Sequence, residues 1–150
     1  MYGDAFLSYA HFLSIFFLAW FLGRQWLLLR AGSAALDVER LVRADLGYFI
    51  SAGLVLLTGL GRLFLGVKPL AFYTHSSAFH ALIGLFVLVG LISIVPTMSY
   101  QRWRRYRRED ARFEIPSREW RWMRALVAVE LFGLAIMPLA AVLMARGIGG

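Results

Sequence analysis

Long continuous apolar windows, rather than an alternation of apolar and polar positions, dominate this chain. Four can be marked, at about residues 6–29, 46–65, 78–99 and 123–145. Each is long enough to cross a hydrocarbon core of ~30 Å at 1.5 Å per residue. Continuity matters more than periodicity here, because a span faces lipid on one side and other helices on the other. The pattern predicts an all-α fold: an integral membrane four-helix bundle, up-down-up-down, forming one four-span domain over residues 1–150. The first window has only Asp4 ahead of it and exceeds the length of a signal-peptide core, so it is expected to be a retained span. Pro116 and Ser117 are expected to end the third link just before the fourth helix. Pro96 and Pro138 fall inside or near the ends of spans. Gly23, Gly53, Gly59, Gly61, Gly84, Gly90 and Gly133 fall mainly within helices, where small residues permit close packing or leave room for a flat cofactor.

Composition agrees with this solvent. Of the 150 residues 60% are apolar and 17% charged, against roughly 45–50% and about 25% in ordinary soluble domains. Mean hydropathy is +0.66. With no cysteine there is no disulfide framework, thiolate metal site or cysteine nucleophile. The net charge of +7 comes almost wholly from arginine. Arg102, Arg104, Arg105, Arg107, Arg108, Arg112, Arg118, Arg121 and Arg124 crowd the link between the third and fourth windows, offset by Glu109, Asp110, Glu114 and Glu119. Arg30, Arg40 and Arg43 lie in the first link, whereas the second holds Lys68 alone. By the positive-inside rule the first and third links are cytoplasmic, with both termini and the link at residues 66–77 outside a bacterial inner membrane. A basic run beside two spans points to anionic headgroups and not to nucleic acid. Trp103, Tyr106, Trp120 and Trp122 suit an interfacial aromatic belt.

Candidate chemistry rests on the polar residues that apolar spans should avoid. His11 lies about five residues, or ~8 Å, below the outer end of the first helix, and His80 at similar depth in the third, with His75 just before it. Diagonal helices of such a bundle are roughly 11–14 Å apart. Two imidazoles at that separation suit the axial positions of a b-type haem, and Gly84 would leave space beside the ring. The alternative is a pair of interior histidines that only form hydrogen bonds. Tyr48, Ser51, Thr58 and Arg62 form a polar stripe on the second helix. Arg62, helped by Lys68, would meet haem propionates or else snorkel to headgroups. Glu130, deep in the fourth helix, is a functional-site candidate, with Arg24 or Tyr48 as its expected partner and an ion pair with arginine favoured over a protonated, hydrogen-bonded acid or a proton relay. Met137 and Met144 share a face with Glu130, which brings copper(I) into view beside ordinary gap filling. Asp37, Glu39 and Asp45 beside Arg40 and Arg43 read as charge compensation at a helix end. No hydrolytic or transferase motif and no phosphate-binding loop is present.

The segments YAHFLSIFFLAWFLGRQWLLLR, LVRADLGYFISAGLVLLTGLGRLFLGVKPLAFYTHSSAFHALIGLFVLVGLISIVPT and VELFGLAIMPLAAVLMARGIG resemble a bacterial four-helix inner-membrane family, domain-of-unknown-function family 2214. The resemblance covers nearly the whole chain, implies the four-helix fold and brings no established activity. More distantly, His11 followed by Trp20 and Gly23, and then LTGLGR, is similar to copper-resistance membrane domains and to the haem-containing membrane protoporphyrinogen oxidase. That similarity implies a first-helix ligand or redox-site role for His11. The oxidase group carries a lysine in its third helical region, where this chain has FHALIGLF. The sequence expectation is a haem b protein taking part in electron transfer, with His11 and His80 on the iron. Its alternatives are a non-catalytic subunit or assembly factor of a larger complex, a homo-oligomer, and a copper- or ion-handling protein.

Overall fold

The computed structural model describes residues 2–66 and 70–146. Four long helices and one short one follow one another: α1 (Tyr2–Arg30), α2 (Val38–Leu65), α3 (Leu70–Thr74), α4 (Ser77–Glu109) and α5 (Ser117–Ala145). There is no strand among the described residues. The four long helices are each apolar enough and long enough to cross a membrane. They outrun the apolar windows at the arginine-rich end. The 33 residues of α4 span about 50 Å, well beyond a hydrocarbon core. Much of the arginine-rich third link is therefore helical, and only residues 110–116 connect α4 to α5.

Local chemistry sets the ends. The Asp37 side chain caps α2 by accepting from the Arg40 N–H at 3.0 Å, and Ser76 caps α4 by accepting from Phe79 N–H at 3.3 Å. Pro116 precedes α5, where its missing N–H costs nothing. The expected break at Pro116 and Ser117 is therefore where the chain turns.

The helices form a ring in which α1 packs on α2, α2 on α4, α4 on α5 and α5 on α1, while α1/α4 and α2/α5 are diagonal. Glycines permit the closest approaches. The Phe21 ring lies where a Cβ on Gly47 would stand, and His11 and Leu7 press on Gly59 and Gly61, which records an antiparallel α1/α2 seam. Across α4/α5, a Cβ on Gly133 would come within 2.7 Å of Val89 Cγ2. Gly133→Ala should therefore cost about 1–3 kcal/mol through overpacking. Gly90, with nothing near its missing Cβ, should instead gain about 0.5–1 kcal/mol as alanine. Thermal melts of the two variants in detergent check the opposite signs.

Burial concentrates at the arginine-rich end, where Leu22, Leu29, Leu41, Tyr100, Trp103 and Val127 are sealed. This corrects the placement of Trp103, which is 0% exposed and in the core, while Trp122 faces outward at 58%. The links at that end are also tied together. Arg107 donates to the carbonyls of Leu36 and Ser33, Arg108 pairs with Glu39, and Arg102 pairs with Glu119. Toward the other end the helices present large apolar side chains outward, among them Phe6, Phe16, Leu57, Phe64, Leu88 and Leu139. Such continuous apolar girth is lipid-facing surface.

Candidate functional site

The histidines are not gathered into one site. His11, half-buried, points from α1 onto α2, where its Nδ1 lies 2.9 Å from Thr58 Oγ1. The Thr58 hydroxyl gives its single hydrogen to the Leu54 carbonyl at 2.6 Å, so His11 Nδ1–H is the donor, and the ring also meets the Val55 backbone. Arg62 stands close enough to His11 for their charges to interact, with its guanidinium 5.7 Å from the Phe12 ring centre. The structure thus sets side by side two residues that the sequence had offered as an iron ligand and a propionate partner. His80 is exposed and donates from Nδ1 to the Ser76 carbonyl of its own helix at 2.8 Å. His75 is likewise exposed and donates to Ala71 O at 2.8 Å. Gly84 has open space around it, and Lys68 lies outside the described residues. No group of three or more metal-ligating side chains occurs among the described residues.

A different constellation fills the interior near the arginine-rich end. Asp45 is 3% exposed and Glu130 1%. Asp45 Oδ1 accepts from Gln25 Nε2 of α1 at 3.4 Å and lies 3.0 Å from Thr97 Oγ1 of α4. Glu130 projects from α5 across the bundle centre to Tyr48 of α2, which also meets Ser93 of α4. Tyr100 and Trp103, their rings 5.7 Å apart, close the cluster, and Tyr100 lies within range of both carboxyls. All four long helices thus contribute polar side chains to one buried site. Two of its polar atoms, Tyr100 Oη and Glu130 Oε1, have no hydrogen-bond partner, and neither has Trp103 Nε1, one turn beyond Tyr100 toward the arginine-rich end. Buried polar atoms normally find one, so the two orphans set this cluster apart from ordinary core.

Neither acid joins a described ion pair. The pairs found are Arg40–Asp37, Arg102–Glu119 and Arg108–Glu39, all at the periphery. Arg24, one of the two expected partners of Glu130, is exposed on α1; Tyr48 is the partner. Asp45 is the residue that sequence reasoning missed. Its neighbours Asp37 and Glu39 do serve helix-end chemistry, which drew Asp45 into the same reading. Yet Asp45 stands three residues before Tyr48, in register with the Tyr48–Ser51–Thr58–Arg62 stripe, and that register was the available signal.

Beside this cluster an apolar cavity of about 260 Å³ opens among the long helices, lined by Leu18, Phe49, Phe86 and Met137 and also by Tyr48 and Ser93. No histidine lines it. Along α2 the polar positions continue from Asp45 through Tyr48 and Ser51 to Thr58 and Arg62, with Val55 interrupting them. The seven residues from Ser51 to Thr58 correspond to about 10 Å of helix.

Four apolar helices packed around two buried carboxyls define a polytopic α-helical membrane protein. The chain belongs to the predicted membrane protein family DUF2214, whose model matches residues 3–149. No curated protein and no solved structure matches it.

Proposed function

We propose that this protein handles protons within the membrane, with Asp45 and Glu130 as the acid–base pair and Tyr48, Tyr100 and Thr97 as hydrogen-bonding relays. The observation that carries this reading is the burial of both carboxyls in the bundle, Glu130 within an apolar window and Asp45 at the edge of one, with no described cation paired to either. An acid kept in so costly a place is a functional group by default, and such groups line proton relays in pumps and transporters. The chemistry of the surrounding atoms favours a proton over a bare metal ion. The hydroxyls of Tyr48, Thr97 and Tyr100 can donate as well as accept, and Gln25 Nε2–H₂ donates to Asp45, which suits proton transfer better than a cation that needs acceptors alone. Thr58, His11 and Arg62 extend the polar line to the other end, and the apolar stretch around Val55 is its barrier.

The test is proton flux into vesicles carrying the purified protein, driven by a potassium diffusion potential and read by an entrapped pH dye. Flux above protein-free vesicles that disappears in the Asp45→Asn/Glu130→Gln double variant supports the reading. Wild-type flux no greater than that of empty vesicles overturns it.

A second reading, electron transfer through haem b, draws on one observation. Nδ1 of His11 and of His80 is committed to a hydrogen bond, the usual orienting contact of a haem-ligating imidazole. It ranks second because these histidines stand on diagonal helices that do not touch, and His80 is exposed. When bound, haem would supply one-electron chemistry, with Arg62 beside His11 as the propionate partner. A Soret band in the purified protein, lost in His11→Ala, would raise this reading above the first; an iron-free, colourless, folded preparation removes it. Copper ranks lower, since Met137 lines the apolar cavity without a histidine beside it.

In this reading the protein sits in a bacterial inner membrane with its arginine-rich end in the cytoplasm. The meeting of the first and third links at one end of the bundle supports that orientation. An alkaline phosphatase fused after the last helix should then be active, and a silent fusion reverses the orientation.

A further inference from the structure

Between α1 and α5, at the arginine-rich end, lies a groove of about 410 Å³ lined by Trp26, Trp120, Arg121, Arg124, Ala125 and Ala128. We propose that this groove is a binding site for the headgroup of an anionic phospholipid. Arg124 is its centre. The guanidinium carbon stands 5.5 Å from the ring centres of both Trp26 and Trp120, so the cation is held between two aromatic faces. Trp120 is itself fixed, because its Nε1–H donates to the Leu29 carbonyl of α1 at 3.1 Å. Neither Arg121 nor Arg124 joins a described ion pair, and the acid closest in sequence, Glu119, is taken by Arg102. Two arginines without a counter-ion, one of them already oriented, present the donor fork that phosphate oxygens fit. No acidic residue lines the groove to repel an anion.

The occupant is argued from place as well as charge. The groove lies on the flank of two apolar helices, where the arginine clusters mark the membrane boundary and tryptophans sit at headgroup level. Ala125 and Ala128, three residues apart on α5, leave the groove shallow below the arginines, which suits the first part of an acyl chain. Basic pockets between membrane helices bind lipid phosphates in this way. The inference goes beyond diffuse attraction by the arginine-rich links and rests on that end lying at the membrane surface.

The experiment titrates the protein in uncharged detergent with brominated short-chain phosphatidylglycerol and, separately, brominated phosphatidylcholine, reading quenching of tryptophan fluorescence. At about 1 M salt, where the Debye length is ~3 Å, diffuse surface attraction is suppressed. Wild type should still prefer phosphatidylglycerol. Arg121→Gln/Arg124→Gln should weaken that binding about twenty-five-fold, taking each arginine as worth about fivefold. Arg104→Gln/Arg105→Gln, which removes the same charge outside the groove, should leave it intact. Equal weakening by both double variants overturns the groove while keeping general attraction. A wild type that does not distinguish the two lipids overturns both. Arg121→Gln alone, at an exposed position, serves if the double variant does not fold.

Discussion

Glu130→Gln should lower proton flux by about a hundredfold, the lower range for removing a positioned proton acceptor, and should leave the bundle folded. The two effects separate because the carboxyl is buried at the meeting point of four helices and paired with no cation. Glutamine preserves its volume and still accepts from Tyr48, so the packing around Gly133 and Leu134 is unaffected. It also removes an ionisable group from a place where charge is costly, which leaves stability level or improved. What glutamine cannot do is take up and release a proton. Asp45→Asn should act in the same direction, since Asp45 already accepts from both Gln25 and Thr97. Flux and thermal melts measured on the same preparations check both halves. A Glu130→Gln protein that conducts like wild type would end its role as acceptor.

Trp103→Ala should be the most damaging single truncation, costing about 3–5 kcal/mol. Trp103 is among the largest side chains with no exposure, and it supports Tyr100 at a ring distance of 5.7 Å. Lipid tails are as apolar as leucine, so the loss is one of packing and of the void left behind more than of water exclusion. The void would also remove the support of Tyr100, which lies within range of both carboxyls. Trp122→Ala is the control: Trp122 is 58% exposed, and its loss should stay within about 0.5 kcal/mol. Unfolding in mixed detergent, followed by the loss of helical signal, measures both.

The spans were legible because hydropathy is a property of consecutive residues. Windows at residues 6–29 and 46–65 lie within helices Tyr2–Arg30 and Val38–Leu65, and those at 78–99 and 123–145 within Ser77–Glu109 and Ser117–Ala145. The helix extensions were hidden by charge, since a run such as QRWRRYRRE can be helical in water as readily as it can be a loop. Site membership was less legible. Glu130 stood out by its depth, and Tyr48 was named as one of two partners. Asp45 was lost among neighbouring charges at a helix start, where Asp37 and Glu39 have the ordinary explanation that Asp45 lacks. His11 and His80 shared a depth, but depth says nothing about azimuth, and their helices do not touch.

By itself, then, the sequence determined the solvent, the number of long helices, the order in which they alternate and the end at which the arginines collect. Each follows from local hydrophobicity and charge summed along the chain. Only the tertiary structure decided which polar groups meet. That outcome depends on how each helix is rotated about its axis, and the rotation is set by contacts between distant residues. Phe21 seated on Gly47 and Val89 against Gly133 turn α2 and α5 so that Asp45, Tyr48 and Glu130 face the centre. Arg24 on α1 and His80 on α4 are left outside by the rotations of their own helices.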